Sequence, residues 1–490
     1  RDFCLSRGLG DVYKRQAYLL IDLSSSAVRA YVVTPDGQKR AQKSRAIHNV
    51  RDPKYADALS FDPNLLQQDL ISVCAEAVAA AGEVCIVAVS ATSAREGIVL
   101  LDADNHPLGG YPNIDNRGQA WEQEIEDHHG IYARSGHWVS TLFPAVKLLG
   151  LRTVYPEIWE KATHFLSLSD WVGWLFTGQA GYEQSQACET LLFDVQSAQW
   201  SDDLCSRFQI PRSMLPPVLK CGSLLGETQA DISHAIGIPS GIPFIVGGAD
   251  TQLAVAHCQP AVGDIVIVAG TTTPIAYLSP QYLVDPEERC WVDRHVSDNH
   301  YIIETNVGVS GMNYDRAIRM FYPGCSYNQV EAELRTRQPG RCLCTIGSMI
   351  FHKAKLTPVG GFFMEAPLSD QIERADLVLS VLLDYAFSFK TNLDQLLDVV
   401  HKENAVLYGC GGGFIGTILP QLLANISGCE IRVPQNFELA SCSGLVDQIN
   451  HYFQRTGNSA QLHHIITPHP AEVLLPYYEQ WQAYRHLLHG

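Results

Sequence analysis

"YLLIDLSSSAVRAYVV" (residues 18–33) joins two apolar runs through a short polar turn. The first run ends on Asp22, and three serines and Arg29 follow before the second run begins. This order predicts a β-hairpin with strands over 17–22 and 28–33. A second stretch, "DIVIVAGTTTPIAYL" (264–278), repeats the order of strand, hydroxyl-rich turn and strand. Two such units predict two halves built on one plan.

The remaining segments indicate an α/β protein. Helical periodicity is clear over 65–82, which ends on Gly82, and over 376–401. Short apolar runs predict strands between and beyond these helices, at 84–91, 97–102, 243–247 and 405–410. Alternation of strands and helices is typical of parallel sheets covered by helices. The boundary between the two halves is predicted near residue 253.

Composition narrows the function classes. The chain has 490 residues, 46% of them hydrophobic, and a formal net charge of −17. Such an acidic surface disfavours nucleic acid and anionic membranes as partners, and no run reaches the roughly 20 apolar residues of a membrane span. Fourteen scattered cysteines predict reduced thiols and a cytoplasmic location. The first sixteen residues, "RDFCLSRGLGDVYKRQ", are expected to be a non-native or disordered leader.

Three small-residue segments could hold phosphate. In the first turn, backbone N–H groups and the hydroxyls of Ser25 and Ser26 suit an anion, Arg29 adds positive charge, and Asp22 suits Mg²⁺. A polar hairpin turn is the alternative. The other two segments are the Gly270-Thr271 turn and the glycines Gly411, Gly412 and Gly413, which stand between a strand and a helix. Tight helix packing is the alternative reason for those glycines.

Two further segments carry groups suited to a hydroxylated substrate. Asp250 follows a strand and two glycines, where a carboxylate could accept a proton from an attacking hydroxyl. A turn or helix-cap aspartate is the alternative. Arg95 and Glu96 place a donor and an acceptor side by side, as a polyhydroxylated ligand requires, although a surface ion pair would have the same pattern.

In their joint order these segments resemble the FGGY carbohydrate kinases, within the superfamily of actin-like proteins, sugar kinases and heat-shock ATPases. The resemblance runs from about Tyr18 to the C-terminal region. It is carried by "VSATSAREGIVLLD" (89–102), "NIDNRGQA" (113–120), "LSLSDWVGWLFTG" (166–178), "TLLFDVQSAQW" (190–200), "VGGADTQLAV" (246–255), "GCGGGFIGTILPQLLANISG" (409–428) and "VPQNFELA" (433–440). Residues 95–100 and the "DPEE…HV" region (285–296) are most similar to autoinducer-2 kinases.

The resemblance implies two actin-like (ribonuclease H-like) domains with an active-site cleft between them. Residues 17–253 would form the N-terminal domain, with the substrate site and the first phosphate loop, and 254–490 the nucleotide-binding C-terminal domain. It also implies transfer of the γ-phosphate of ATP to a hydroxyl of a small sugar or polyol. Transfer of this kind depends mainly on positioning and charge neutralisation.

The resemblance also implies roles for individual residues. Asp250 matches the general base, and Asp22 matches the carboxylate that holds Mg²⁺ through water. Nucleotide and phosphate contacts are implied for Ser25, Ser26, Arg29, Gly270, Thr271, Gly411, Gly412 and Gly413. Substrate contacts are implied for Arg95, Glu96, Asp250 and Thr251, with Asp115 expected near them.

Several substrates and one non-enzymatic role stay open. The leading substrate is the open-chain autoinducer-2 precursor, which would place the protein in quorum sensing; glycerol or a ketopentose is the alternative. Ser24-Ser25 stands where the family usually has Gly-Thr, and Asn425 where it usually has aspartate. These departures motivate a non-catalytic sugar sensor as a further alternative. A homodimer is left open.

Overall fold

The computed structural model describes residues 15–55, 57–297, 299–347, 359–455 and 461–489, so nearly all of the predicted leader lies outside it. The described chain divides into two compact units. The first takes in residues up to His257 together with described residues of the segments 293–299 and 441–459. The second takes in the rest, beginning at Cys258. The domain limits 17–253 and 254–490 stay a prediction.

A six-stranded sheet forms the centre of the first unit. Its strands lie in the order Leu224–Glu227, Pro243–Ala249, Cys85–Ser93, Gln16–Leu23, Ala27–Val33 and Lys39–Ala46. The opening stretch forms the predicted hairpin, with Asp22 opposite Arg29 in antiparallel register. Gln16–Leu23 also runs parallel to Cys85–Ser93, which in turn runs parallel to Pro243–Ala249.

Helices cover both faces of this sheet, which is why Gln16–Leu23 is apolar almost throughout. Leu19 and Ile21 pack on one face in a core that includes residues of the helix Pro63–Ala80. Tyr18 points to the other face, where its hydroxyl donates to Asn450 Oδ1 at 2.7 Å in the helix Ala440–Tyr452. A strand buried on both faces gives a continuous apolar run rather than alternation.

The strand Lys39–Ala46 is absent from the sequence-based predictions. It follows the turn at Thr34–Gln38, in which Gly37 has a φ of 85°. Only Ala41 of its eight residues is buried, because the strand lies at the edge of the sheet. Its polar sequence therefore lacks the apolar pattern by which strands are identified.

Smaller elements complete the first unit. A three-stranded sheet has the order Pro107–Tyr111, Ile98–Leu101 and His164–Ser167, and two-residue strands pair as Val50–Arg51 with Leu59–Ser60, Tyr182–Glu183 with Val218–Leu219, and Phe193–Asp194 with Gln199–Trp200. Its other α-helices are His128–Ser135, Pro144–Val154, Pro156–Trp159, Leu168–Thr177, Gln184–Cys188, Asp202–Phe208, Ala230–Ile236 and Asp250–His257, with 3₁₀ turns at Gln119–Glu124 and Arg212–Met214.

The second unit is built on a seven-stranded sheet. Its order is Trp291–Arg294, Tyr301–Asn306, Pro274–Ser279, Ile265–Val268, Leu407–Cys410, Ile431–Pro434 and Leu462–Ile466. Of the first of these strands, Asp293 and Arg294 belong to the first unit. The second predicted hairpin is present, since Ile265–Val268 pairs antiparallel with Pro274–Ser279 and parallel with Leu407–Cys410. Both central sheets therefore combine a hairpin with a parallel neighbour.

Helices and short segments surround this second sheet. They are the α-helices Ser310–Phe321, Tyr327–Leu334, Arg374–Val399, Ile418–Ser427 and Leu475–His489, the 3₁₀ turns Gly412–Phe414, Phe437–Leu439 and Ala471–Val473, and the paired strands Leu343–Cys344 and Phe362–Phe363. Within the described ranges, no helix combines the length and apolar character needed to cross a membrane.

Candidate active site

Asp22 and Asp250 stand at the same edge of the first sheet. The three parallel strands Gln16–Leu23, Cys85–Ser93 and Pro243–Ala249 end there together. Thr92 of the middle strand is in register with Asp22 on one side and Gly248 on the other, and its hydroxyl donates to the Gly248 carbonyl at 2.8 Å. Because the carboxyl ends of parallel strands meet at one edge, residues 22 and 250 come together there from distant parts of the sequence.

Asp22 is held by its cross-strand neighbour. Arg29 Nη1 donates to Asp22 Oδ2 at 3.1 Å, and 16% of the Asp22 side chain is exposed. Burial raises the pKa of Asp22, and the Arg29 guanidinium opposes that rise. A carboxylate beside one cation and still partly open to solvent can receive a second cation.

Asp250 begins the helix Asp250–His257, and its pKa is raised as well. Burial raises its pKa to about 6; the Arg95 charge opposes this shift and the Asp22 charge adds to it. The Thr251 backbone N–H donates to Asp250 Oδ1 at 2.7 Å, and the Ser441 hydroxyl donates to the Asp250 carbonyl at 2.9 Å. A carboxylate that titrates near pH 6 is suited to accept a proton at neutral pH.

The first turn is closed by Ser24 rather than by a glycine. Ser24 Oγ accepts from the backbone N–H groups of Ser26, at 3.4 Å, and Ala27, at 3.2 Å. The Ser25 carbonyl accepts from Asn49 Nδ2 at 3.3 Å. None of residues 24–26 has a positive φ. The turn therefore forms without the backbone freedom of the glycine that the family usually has here.

Arg95 lies in a buried ion pair rather than on the surface. Its Nη1 donates to Glu189 Oε1 at 3.0 Å, with 9% and 0% of the two side chains exposed. Glu96 follows with a φ of 61°, and its carbonyl accepts from Lys147 Nζ at 2.9 Å. Burial lowers the pKa of Lys147 to about 8, while the negative charges of Asp115 and Glu96 oppose the decrease.

Asp115 lies close to Lys147, and both of its carboxylate oxygens accept hydrogen bonds from other residues. The Leu59 backbone N–H donates to its Oδ1 at 2.8 Å, and Arg117 Nε donates to its Oδ2 at 2.6 Å. The Asp115 side chain is fully buried. It interacts with the same lysine, Lys147, as Glu96 does, so the structure connects these two predicted residues through that amine.

In the second unit, the two predicted phosphate segments are neighbours. Val268 is in register with Cys410, and the Gly413 N–H donates to the Ala269 carbonyl at 2.9 Å. Gly270 and Thr271 follow, and the Thr271 carbonyl accepts from the Met312 N–H at 3.2 Å. The loops after the two parallel strands thus lie together, as sites for phosphate commonly do.

The three glycines of this segment differ in how much space a side chain would have at each position. Gly411 has a φ of 91°, and a Cβ there would lie 2.5 Å from the Ala269 carbonyl oxygen. A Cβ on Gly413 would lie 2.7 Å from Ala269 Cβ, whereas one on Gly412 would meet no atom within 4 Å. Gly411 and Gly413 are thus required by close packing, and Gly412 faces open space.

Asn425, one of the two departures from the family pattern, has a local structural role. Its Oδ1 accepts from Gln421 Nε2 at 2.8 Å and from the His469 N–H at 2.8 Å. The amide oxygen of Asn425 has two lone pairs, so it can accept both hydrogen bonds, and the aspartate that the family usually has is not needed for them.

Four charged or titratable side chains of the site were missed by the sequence analysis. They are His137, Lys147, Glu189 and Asp293, all fully buried. His137 Nε2 lies 3.6 Å from Glu189 Oε2 and 3.4 Å from Asp293 Oδ1. No local pattern singles them out; Asp293 lies in the 285–296 region that carried part of the family resemblance.

Comparison with known proteins gives a consistent set of relatives. Residues 17–256 match the sequence model of the "FGGY family of carbohydrate kinases, N-terminal domain". The chain is 34% identical over 479 residues to "Putative sugar kinase YoaC" of Bacillus subtilis (strain 168), covering 97% of this chain and 98% of that protein. It is 24% identical to the autoinducer-2 kinase of Escherichia coli (strain K12), covering 85% and 83%.

Solved structures agree at the level of the fold. Xylulose kinase from Lactobacillus acidophilus has a TM-score of 0.85 at 16% identity, covering 97% of this chain and 99% of that chain. Plasmodium falciparum glycerol kinase with ADP has a TM-score of 0.82 at 16% identity, covering 96% and 98%. These likenesses confirm the predicted α/β fold with two actin-like domains.

Proposed function

This chain belongs to the FGGY family of carbohydrate kinases, and we propose that it uses Asp250 as the general base for phosphorylating a small sugar or polyol. Membership makes it a phosphotransferase that takes its phosphoryl group from ATP and delivers it to a sugar hydroxyl. The roles of its residues follow from the arrangement of the carboxylates. The observation that supports them most strongly is that the strand of Thr92 lies between the strand that carries Asp22 and the strand that ends just before Asp250, with all three ending at one sheet edge.

Asp250 has the environment of a base. Its pKa of about 6 leaves it ionised at neutral pH yet far more basic than an ordinary aspartate. Thr251, whose N–H holds Asp250 Oδ1, would orient that carboxylate toward the substrate hydroxyl. The base accepts the hydroxyl proton as the substrate oxygen attacks the γ-phosphorus; the bond from that phosphorus to the bridging oxygen breaks and ADP leaves with the electron pair. The protein otherwise contributes position and charge.

Asp22 is the residue that would hold Mg²⁺, through a water molecule. The donor fits, because Mg²⁺ prefers carboxylate oxygen and commonly retains most of its waters. When bound, Mg²⁺ neutralises charge on the triphosphate. Arg29, whose Nη1 lies 3.1 Å from Asp22 Oδ2, keeps that carboxylate in place and adds a second positive charge at the first turn.

The phosphate contacts are assigned to three segments. In the first unit they are the turn residues Ser25 and Ser26 together with Arg29. In the second unit they are Gly270 and Thr271, and the glycines Gly411, Gly412 and Gly413, of which Gly412 has space for a ligand close to its backbone. Backbone N–H groups in such turns bind phosphate oxygens without needing lysine.

The substrate contacts are assigned to the buried group around Arg95. Arg95 and Glu96 would bind hydroxyl or carbonyl oxygens of the substrate, and Asp115 would support them through Lys147. The leading substrate is the open-chain autoinducer-2 precursor, which would give the enzyme a role in quorum sensing. Glycerol and ketopentoses are the competing substrates, since the solved relatives include kinases of both.

The test is ADP release measured by a coupled assay with Mg-ATP and a panel of these substrates. Wild type should release ADP with at least one of them, and Asp250→Asn should lower kcat by about 10²-fold or more. Asp231→Asn, an exposed helix aspartate, is the matched control and should keep wild-type kcat. Tight sugar binding with no ADP from any substrate would instead support a sugar sensor.

A second experiment separates substrate from nucleotide roles. Arg95→Ala should raise the KM for the sugar and leave the KM for ATP unchanged. Equal sugar KM values in the two proteins would remove Arg95 from the substrate site. Light scattering on the same preparations tests the homodimer.

A further inference from the structure

Three side chains from distant segments converge in the interior of the first unit. They are His137, Glu189 and Asp293, each with no exposed surface. One ligand-type atom from each lies within 4.8 Å of the others. Together they form the His137–Glu189–Asp293 cluster, which brings one imidazole and two carboxyl groups to one point.

The orientation of the imidazole is set by its other nitrogen. His137 Nδ1 lies 2.9 Å from the Ser135 carbonyl oxygen, which only accepts hydrogen bonds, so Nδ1 carries a hydrogen. In the neutral ring, Nε2 then presents its lone pair toward Glu189 Oε2 and Asp293 Oδ1. A cation placed among three electron-pair donors directed at one another, either a proton or a metal ion, would stabilise this arrangement.

The distances favour a metal ion. A direct N–H···O hydrogen bond would place the nitrogen and oxygen about 2.7–3.2 Å apart. The observed separations from His137 Nε2 are 3.6 Å to Glu189 and 3.4 Å to Asp293. Ligands bound at about 2.1 Å around a tetrahedral zinc ion lie roughly 3.4 Å from each other. The two separations from His137 Nε2 are therefore close to the edge length of a tetrahedral metal site, and all three ligand atoms lie within 4.8 Å of one another.

The surroundings resemble those of protein metal sites. Histidine ligands commonly donate their second ring N–H to a backbone carbonyl, as His137 does to Ser135. Ligating carboxylates are themselves held by hydrogen bonds, as Glu189 is by Arg95 Nη1 at 3.0 Å on its other oxygen.

We propose that His137 Nε2, Glu189 Oε2 and Asp293 Oδ1 bind one divalent transition-metal ion, of the zinc class. Mixed nitrogen and oxygen donors suit zinc, whereas magnesium prefers oxygen alone. The ion would be distinct from the Mg²⁺ assigned to Asp22. By holding Glu189 it would also fix Arg95, so it would be a structural ion that supports the substrate pocket.

The experiment measures metal, without ATP or sugar, so its result is independent of kinase activity. Protein purified without chelators is analysed for zinc, manganese, iron, cobalt, nickel and copper, and is also equilibrated with Zn²⁺ and desalted. Wild type should retain about one metal ion per chain, and His137→Gln and Asp293→Asn should lose most of it. Two variants should retain it: Asp22→Asn, outside the cluster, and His257→Gln, whose ring Nδ1 lies 3.0 Å from Asp447 Oδ2, also outside the cluster.

A second measurement applies even where the variants fail to fold. Wild type treated with a strong chelator should show a lower melting temperature, and adding back Zn²⁺ should restore it. Wild type with no transition metal after both treatments, or with an unchanged melting temperature, would overturn the proposal. So would folded His137→Gln and Asp293→Asn proteins that keep the full metal content.

Discussion

Arg95 and Glu189 form a buried ion pair, with Nη1 and Oε1 3.0 Å apart. Only 9% of the arginine side chain and none of the glutamate side chain is exposed. The two residues are 94 positions apart in the sequence. A guanidinium in this setting keeps its orientation only while its carboxylate partner is present, because an unpaired buried charge is strongly unfavourable.

Glu189→Gln should therefore lower the free energy of unfolding by about 3 kcal/mol, because it removes the buried negative charge that pairs with Arg95. Chemical denaturation measures this change. Asp203→Asn, which breaks an exposed pair with Arg207, is the matched control and should cost less than about 1 kcal/mol. Equal losses in the two variants would contradict a stabilising role for the buried pair.

The rate should depend on pH through Asp250. Its pKa is raised to about 6, and only the ionised carboxylate can accept a proton. The value of kcat/KM should therefore be constant above about pH 7 and fall tenfold per pH unit below about pH 6. An ordinary aspartate would keep the rate constant down to about pH 4. A profile flat to pH 5 would rule out Asp250 as a base with this pKa.

Asp250→Asn should make the protein more stable while making it inactive. A carboxylate whose pKa is raised in the folded state favours folding only in its protonated form. The unfavourable contribution begins above the ordinary aspartate pKa of 3.8 and is complete above about pH 6. At pH 8 the free energy of unfolding should thus be about 1 to 3 kcal/mol higher in the variant than in wild type. At pH 3 it should be the same in both proteins. Equal stabilities at pH 8 would contradict the raised pKa.

Gly411 and Gly412 should respond differently to alanine. Gly411 has φ 91° and ψ 176°, a region open almost only to glycine, and the added methyl would meet the Ala269 carbonyl. Gly411→Ala should reduce the free energy of unfolding by about 2 kcal/mol or more. Gly412→Ala should leave it unchanged and raise the KM for ATP, because its methyl would point into open space. Unchanged ATP kinetics in folded Gly412→Ala would remove that residue from the nucleotide site.

Ser24→Gly restores the residue that the family usually has in the first turn. The serine hydroxyl closes the turn through the N–H groups of Ser26 and Ala27, and no positive φ is needed. The change should lower the free energy of unfolding by about 1 kcal/mol and leave the KM for ATP within about twofold. A marked gain in ATP affinity would mean that the serine weakens nucleotide binding, as the sensor alternative assumes.

Much of the fold could be predicted because its signals are local. The hairpin at 18–33 follows from apolar runs around a short turn, and the helix Pro63–Ala80 from its periodicity and the glycine after it. Asp22 and Asp250 could be selected because Asp22 lies near the end of a buried strand and Asp250 directly follows one. The edge strand Lys39–Ala46 could not be predicted, since an exposed strand does not need apolar residues.

The amino-acid order is sufficient for the strands, the turns and the carboxylates at strand ends, because backbone preferences and burial act between near neighbours. Only folding brings Glu189 to Arg95 and joins His137 to Glu189 and Asp293. These groups stand far apart along the chain, and nothing beside them in sequence marks them. These charged side chains can be buried because each lies beside a compensating charge or hydrogen-bond donor, and such pairing depends on how distant segments pack.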